Sequence, residues 1–230
     1  MSSATNSALP RAVLSRAALA AAARGAAAAG GACADLRRDA WGHGLTEVAH
    51  TVTRSGIRQI LVDDEETALS LREAGIDAVA SGAPDVDPSM LFGLPGAGKV
   101  PVMRLVGTVM STKRLRPGDA VSYGYTHRAV SDTTVALVTG GYAQGIVRAL
   151  GNHARAEVDG VLRPIIGRVA MDVCVVDLEG VDAAEGAEVT YFGGTGPARE
   201  TLADWARITG LTVGELVAVA GMSSRREWRA

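Results

Sequence analysis

Beyond residue 100 the chain is a succession of short β-branched runs, each closed by glycine, proline or aspartate, and this pattern constrains its fold more than any other. Residues 100–110, 120–123, 133–139, 162–166, 169–176 and 189–192 read as strands, and short strands at such intervals predict a compact β-barrel or sandwich. One helix, 201–209, and a last apolar stretch, 211–219, close this part. Before residue 100 strands and helices alternate: a strand at 12–14, an alanine-rich helix at 15–28, a short apolar run at 31–36, a helix at 45–54, a strand at 59–62 and a helix at 64–74. In the last helix Ala68, Leu71 and Ala74 fall near helical spacing, acids crowd the first turn and Gly75 stands at the C-terminal end, the usual signals of start and stop. Such alternation predicts βα units with parallel pairing. Joints rich in Pro, Asp and Gly at 81–88 and 93–98 divide an α/β segment, 1–92, from a mostly-β domain, 100–230. The fold class predicted is α+β.

The chain has 230 residues, enough to bury a sizeable core. Its net charge of -2, from 23 basic and 25 acidic residues, provides no electrostatic footprint for nucleic acid or an anionic membrane. No apolar run approaches the ~18 residues a membrane span needs. Cys33 and Cys174 form neither a disulfide framework nor a CxxC metal site, so a reducing cytoplasm is the expected location. Asp35 is the first acidic residue, and Arg11, Arg16 and Arg24 precede it among alanines; this resembles a transit peptide superficially, but a strand and an alanine-rich helix explain it equally. The basic residues are almost all arginine, the two lysines being Lys99 and Lys113.

Two motifs stand out in the β-rich part: Gly140-Gly141-Tyr142-Ala143-Gln144-Gly145-Ile146-Val147-Arg148-Ala149-Leu150, followed by Gly167-Arg168-Val169-Ala170-Met171-Asp172. Together they resemble the C-terminal domain of alanine racemases, whose pattern reads Gly-Tyr-Ala-Asp-Gly and then Gly-Arg-Val-x-Met-Asp. Upstream, Leu36-Arg37-Arg38-Asp39-Ala40-Trp41-Gly42-His43-Gly44 is similar to that family's Val-Lys-Ala-Asp-Ala-Tyr-Gly-His-Gly. The register places Arg37 where the family carries the lysine that binds pyridoxal phosphate (PLP). A Schiff base needs an amine that can lose its proton, and a guanidinium with a pKa above ~12 does not.

The resemblance implies a TIM-type (β/α)₈ barrel followed by the β-domain, yet a barrel of that kind needs ~250 residues. Only three or so βα units fit before residue 100, so the expected fold is a short α/β remnant whose two barrel ends are joined. By resemblance Tyr142 is a catalytic base acting in trans in a head-to-tail dimer, Met171 offers a backbone N–H to a substrate carboxylate, and Asp172 and Arg168 are expected to bind substrate with it. Gln144 replaces an acid and Trp41 a tyrosine. Residues 211–215 lack the family's tyrosine near the phosphate, and 84–89 lack its arginine near the pyridine nitrogen. No bound cofactor is therefore expected, PLP being that of the family. The reading is a degenerate paralogue acting as a structural or regulatory partner, in a homo-oligomer or a hetero-dimer with a full-length racemase. Residual PLP-dependent racemisation toward D-alanine and a small-ligand sensor are the alternatives.

Other motifs carry competing chemistry. His43, Glu47 and His50 lie at i, i+4 and i+7 and could ligate a metal on one helix face. Residues 93–99 fit the first seven positions of a P-loop, but Val100 stands where the hydroxyl residue belongs.

Overall fold

A computed structural model describes residues 9–122 and 124–230. The first part runs β1 (Arg11–Ser15), α1 (Arg16–Ala28), β2 (Cys33–Asp35), α2 (Arg37–Trp41), α3 (Leu45–Arg54), β3 (Gln59–Leu61), α4 (Glu65–Glu73), β4 (Ala78–Val79) and α5 (Pro88–Phe92). The second runs β5 (Met103–Leu115), β6 (Ala120–Val121), β7 (His127–Arg128), β8 (Thr133–Thr139), β9 (Arg155–Val158), β10 (Val161–Ile166), β11 (Val173–Asp177), β12 (Glu188–Phe192), α6 (Thr201–Thr209), α7 (Val213–Met222) and β13 (Arg225–Arg229). The expected strand at 120–123 is thus shorter, with residue 123 outside the described residues.

The large sheet has the order β12-β9-β10-β11-β8-β5-β1-β13, and β12 returns to pair with β5. Six strands therefore close into an antiparallel barrel, which removes their free edges. The long β5 makes this possible by pairing with β1 and β12 through its first half and with β8 through its second. Strands β1 and β13 lie side by side in parallel as an extension from β5.

The strand expected at 12–14 to open the α/β segment spans Arg11–Ser15 and belongs to the large sheet instead. Its burial alternates, with Ala12 and Leu14 inside, which suits a sheet with one solvated face. β2, by contrast, is buried at all three positions. That is the pattern of a parallel strand covered on both sides.

The parallel sheet holds β2, β3 and β4 in that order, and Val86 bridges to Ala34 on the other edge of β2. The chain thus returns to the first parallel strand after only three βα units. Among the described residues, the outer edge of β4 has no strand partner.

One hydrophobic core crosses the two parts, running from Leu19 and Ile60 through Phe92 to Val138 and Trp205. The seam lies where α7 meets the segment after β2. α7 is almost wholly apolar, with Leu216, Val217, Ala220 and Gly221 buried, and is capped by a reciprocal Thr212–Glu215 box. Opposite it, Arg38, Asp39, Ala40 and Trp41 have φ between 53° and 56°, a left-handed turn of four non-glycine residues. Such residues cost about 1–2 kcal/mol each, and the turn is braced from several sides. Ala40 N donates to Leu36 O at 2.8 Å and Gly42 N to Arg38 O at 3.0 Å; Asp39 accepts from Leu45 N at 2.7 Å and pairs with Arg226 of β13.

Candidate functional site

The bracing of that turn places a cavity of about 850 Å³ at the carboxyl ends of β2 and β3, between the parallel sheet and the β-domain. This is where open α/β sheets and βα barrels position their ligands. Asp35, Arg37, Arg38 and Asp63 line it from the sheet; Trp41 comes from the left-handed turn. Tyr142, Val147 and Arg148 come from the β-domain, and residues of 211–222 supply the remaining wall. Arg37 and Tyr142 of one chain therefore share a single cavity.

Arg37 is closed on its own neighbour. Its Nε donates to Asp35 Oδ1 at 2.9 Å and its Nη2 to Asp35 Oδ2 at 2.6 Å, while its backbone N–H reaches Oδ1 at 3.1 Å. This is a bidentate fork on a buried carboxylate. Burial pushes the Asp35 carboxyl up, but the hydrogen bonds and charge of Arg37 outweigh it and hold the group below the usual carboxylate range. Arg38 leans on Asp63, its N–H donating at 2.7 Å and its Nε standing 3.7 Å away. The two arginines serve internal carboxylates.

Trp41 and Gly214 are coupled in the same way. A Cβ at position 214 would lie 2.5 Å from Cζ3 of the Trp41 ring. The large ring after β2 fits because α7 has no side chain there.

Tyr142 opens a short 3-10 turn, Tyr142–Gln144, and its ring is 39% exposed. The guanidinium of Arg148 lies 5.2 Å from the ring centroid, a cation–π distance. The turn is tied to the second motif through Tyr142 N to Ala170 O at 2.9 Å, Ala143 N to Met171 O at 3.0 Å and Gly140 N to Asp172 O at 2.7 Å. Buried Gln144 completes the tie, its Oε1 accepting from Gly141 N and its Nε2 donating to Asp172 Oδ1, both at 2.9 Å. An amide serves both partners because it is donor and acceptor at once. Gln144→Glu sets two carboxylates against each other and removes the Asp172 donor, so it is expected to destabilise the protein by about 1–3 kcal/mol, read by urea denaturation at neutral pH, and less at acid pH.

Met171 and Asp172 thus brace the Tyr142 turn rather than line its cavity. Arg168 lines a different cavity of about 510 Å³, beside Arg207 and His153. His43 is completely buried and stacks on Phe92 at 4.2 Å, while Glu47 pairs with Arg16 at 3.0 Å; the i, i+4, i+7 trio does not converge on a metal. At 93–99 Gly93 ends α5 in a left-handed conformation and the chain passes into β5. The helix a P-loop requires is absent there.

Sequence reasoning missed Asp35, the partner of Arg37, although an acid at the end of an otherwise apolar run was a visible signal. It also gave no role to Arg148, which lies within the first motif, six residues after Tyr142.

A short parallel βα sheet whose strand ends face a closed six-stranded antiparallel barrel across one cavity defines a two-part α+β protein. Residues 102–228 match the family model "Alanine racemase, C-terminal domain"; the chain belongs to the alanine racemase family. An alanine racemase of Mycolicibacterium vanbaalenii is 35% identical over 174 residues, which are 74% of this chain and 45% of that protein. One of Streptomyces coelicolor is 36% identical over 163 residues, 70% of this chain and 42% of the relative. The chain spans about half the length of the relatives it matches. Among solved structures, the Streptomyces coelicolor A3(2) alanine racemase superposes with a TM-score of 0.83 at 20% identity, covering 96% of this chain and 98% of that one. The fold is shared.

The residues around the cavity do not fit PLP. A Schiff base needs a lysine, and neither Lys99 nor Lys113 lines the cavity; the strand-end position holds Arg37, forked on Asp35.

Proposed function

We propose that this chain is a non-catalytic member of the alanine racemase family that acts, in the cytoplasm, as a structural or regulatory partner. The observation that carries the reading is the Arg37–Asp35 fork in a cavity without a lysine. The shortened parallel sheet supports it, since a phosphate and a pyridine ring would need the strands that are missing.

The test is chemical. Incubation with PLP and borohydride, followed by peptide mass mapping, is expected to find no stoichiometric adduct, and alanine racemisation is expected to stay at background. Arg37→Lys is expected to restore neither, because Asp35 would hold the new ammonium and the rest of the cradle is lacking. A specific adduct on Lys99 or Lys113, or L-to-D interconversion by the Arg37→Lys protein, would overturn the reading.

The partner we propose is a second copy or a full-length racemase, to whose site Tyr142 is offered in trans. The exposed ring of Tyr142 on an internally braced turn supports this. Mixing the chain with a racemase whose equivalent tyrosine is phenylalanine is expected to rescue racemisation, and Tyr142→Phe to abolish the rescue. Absence of rescue together with absence of co-elution would count against any such pairing.

A further inference from the structure

The cavity carries three cations and three anions, and two ion pairs within the chain leave Arg148 and Glu215 over. Arg37 is held by Asp35 and Arg38 by Asp63. Glu215 spends Oε2 on the N–H and hydroxyl of Thr212, both at 2.7 Å. Arg148 pairs with no carboxylate among the described residues; its guanidinium lies against the Tyr142 ring, leaving its N–H edge free for an acceptor. The rest of the lining is largely apolar: Trp41, Val147, Leu216 and three large side chains that remain 39–49% exposed, Leu211, Val219 and Met222.

The volume lies within the range of small-molecule sites, which combine apolar walls with a few placed polar groups. A single unmatched guanidinium matches a monoanion, and a planar carboxylate meets it with two parallel hydrogen bonds. A dianion would face Glu215 and Asp63 with only one free cation to balance it. We propose that the cavity binds a small aromatic carboxylate, its acid group on Arg148 and its ring against Trp41 and the α7 wall. The proposal rests on the reading that no amine-bound cofactor occupies the cavity.

The experiment is calorimetric titration of the full chain with indole-3-propanoate, with the uncharged 3-(indol-3-yl)propan-1-ol, and with inorganic phosphate. Saturable one-to-one binding of the acid is expected, at least about tenfold tighter than the alcohol, with no displacement by phosphate. Arg148→Gln is expected to lower affinity for the acid at least about tenfold, while Arg114→Gln on the exposed half of β5 leaves it unchanged. Should Arg148→Gln fail to fold by circular dichroism, Val219→Trp, which adds a large ring to the cavity lining, is expected to abolish binding.

Equal binding of acid and alcohol, displacement by phosphate, insensitivity to Arg148→Gln, or no binding of the acid up to about 10 mM would each overturn the proposal. Borohydride mapping of the same preparation separates the two readings. A lysine adduct of PLP sinks the non-catalytic assignment, whereas loss of carboxylate binding without an adduct sinks only this inference.

Discussion

Gly42→Ala is expected to cost at least about 3 kcal/mol of stability and to open the cavity. Gly42 has φ +78°, and a Cβ there would stand 2.4 Å from the carbonyl oxygen of Ala218 in α7. The opposing surface is equally close, because a Cβ on Gly221 would fall 2.2 Å from Gly42 O. Backbone meets backbone at this point, so no side-chain rotation relieves the clash. The left-handed turn and α7 would have to separate, carrying Trp41 from Gly214. Chemical denaturation should show a lower midpoint, and Trp fluorescence a change in the native baseline. An alanine variant within about 1 kcal/mol of the parent would mean that the two elements are not in the contact described.

The second large effect is a loss of stability on mild acidification, expected to total on the order of 3 kcal/mol between about pH 6.5 and pH 4. Nδ1 of His43 lies 3.0 Å from both Ala40 O and Trp41 O, so it carries the proton, and Nε2 is buried without a partner. Burial, helped by the charge of Arg226, lowers the imidazole to a pKa of about 4 against the pull of the two carbonyls and Asp39. The unfolded chain, with an ordinary histidine near 6.5, therefore binds more protons across this window, and stability rises with pH through it. Below it the native state takes the proton too and the slope from this residue vanishes. His43→Gln, which keeps a donor but does not titrate, is expected to flatten the profile; an unchanged profile would assign the acid sensitivity elsewhere. The depressed Asp35 carboxyl acts lower still, its stabilisation being lost only as pH falls below the usual carboxylate range.

Much of the architecture was legible from local pattern. The helices at 45–54 and 201–209 and the strand at 133–139 were read with the bounds the structure shows, because apolar periodicity and glycine ends are recorded in neighbouring residues. β9 and β13 were not read. Arg-Ala-Glu-Val alternates, but over four residues only, and Arg-Arg-Glu-Trp-Arg has a single apolar residue; both exist as strands through their ladder partners. β13 is further joined by Glu227 to Arg11, 216 residues away.

The site divides along the same line. The two β-domain motifs, the arginine at the lysine position and the shortage of βα units are properties of the chain read in order, and they established the family and the doubt about its chemistry. What Arg37 does was decided by β2 ending in the buried Asp35 beside it. The room for the Trp41 ring was decided by Gly214, 173 positions on, where α7 seats against the left-handed turn. Arg168 and Tyr142, read as one constellation, line separate cavities. Local pattern reports what a residue can do with its immediate neighbours; which distant group neutralises a charge or fills a volume depends on how helices and sheets pack, and only the tertiary contact supplies it.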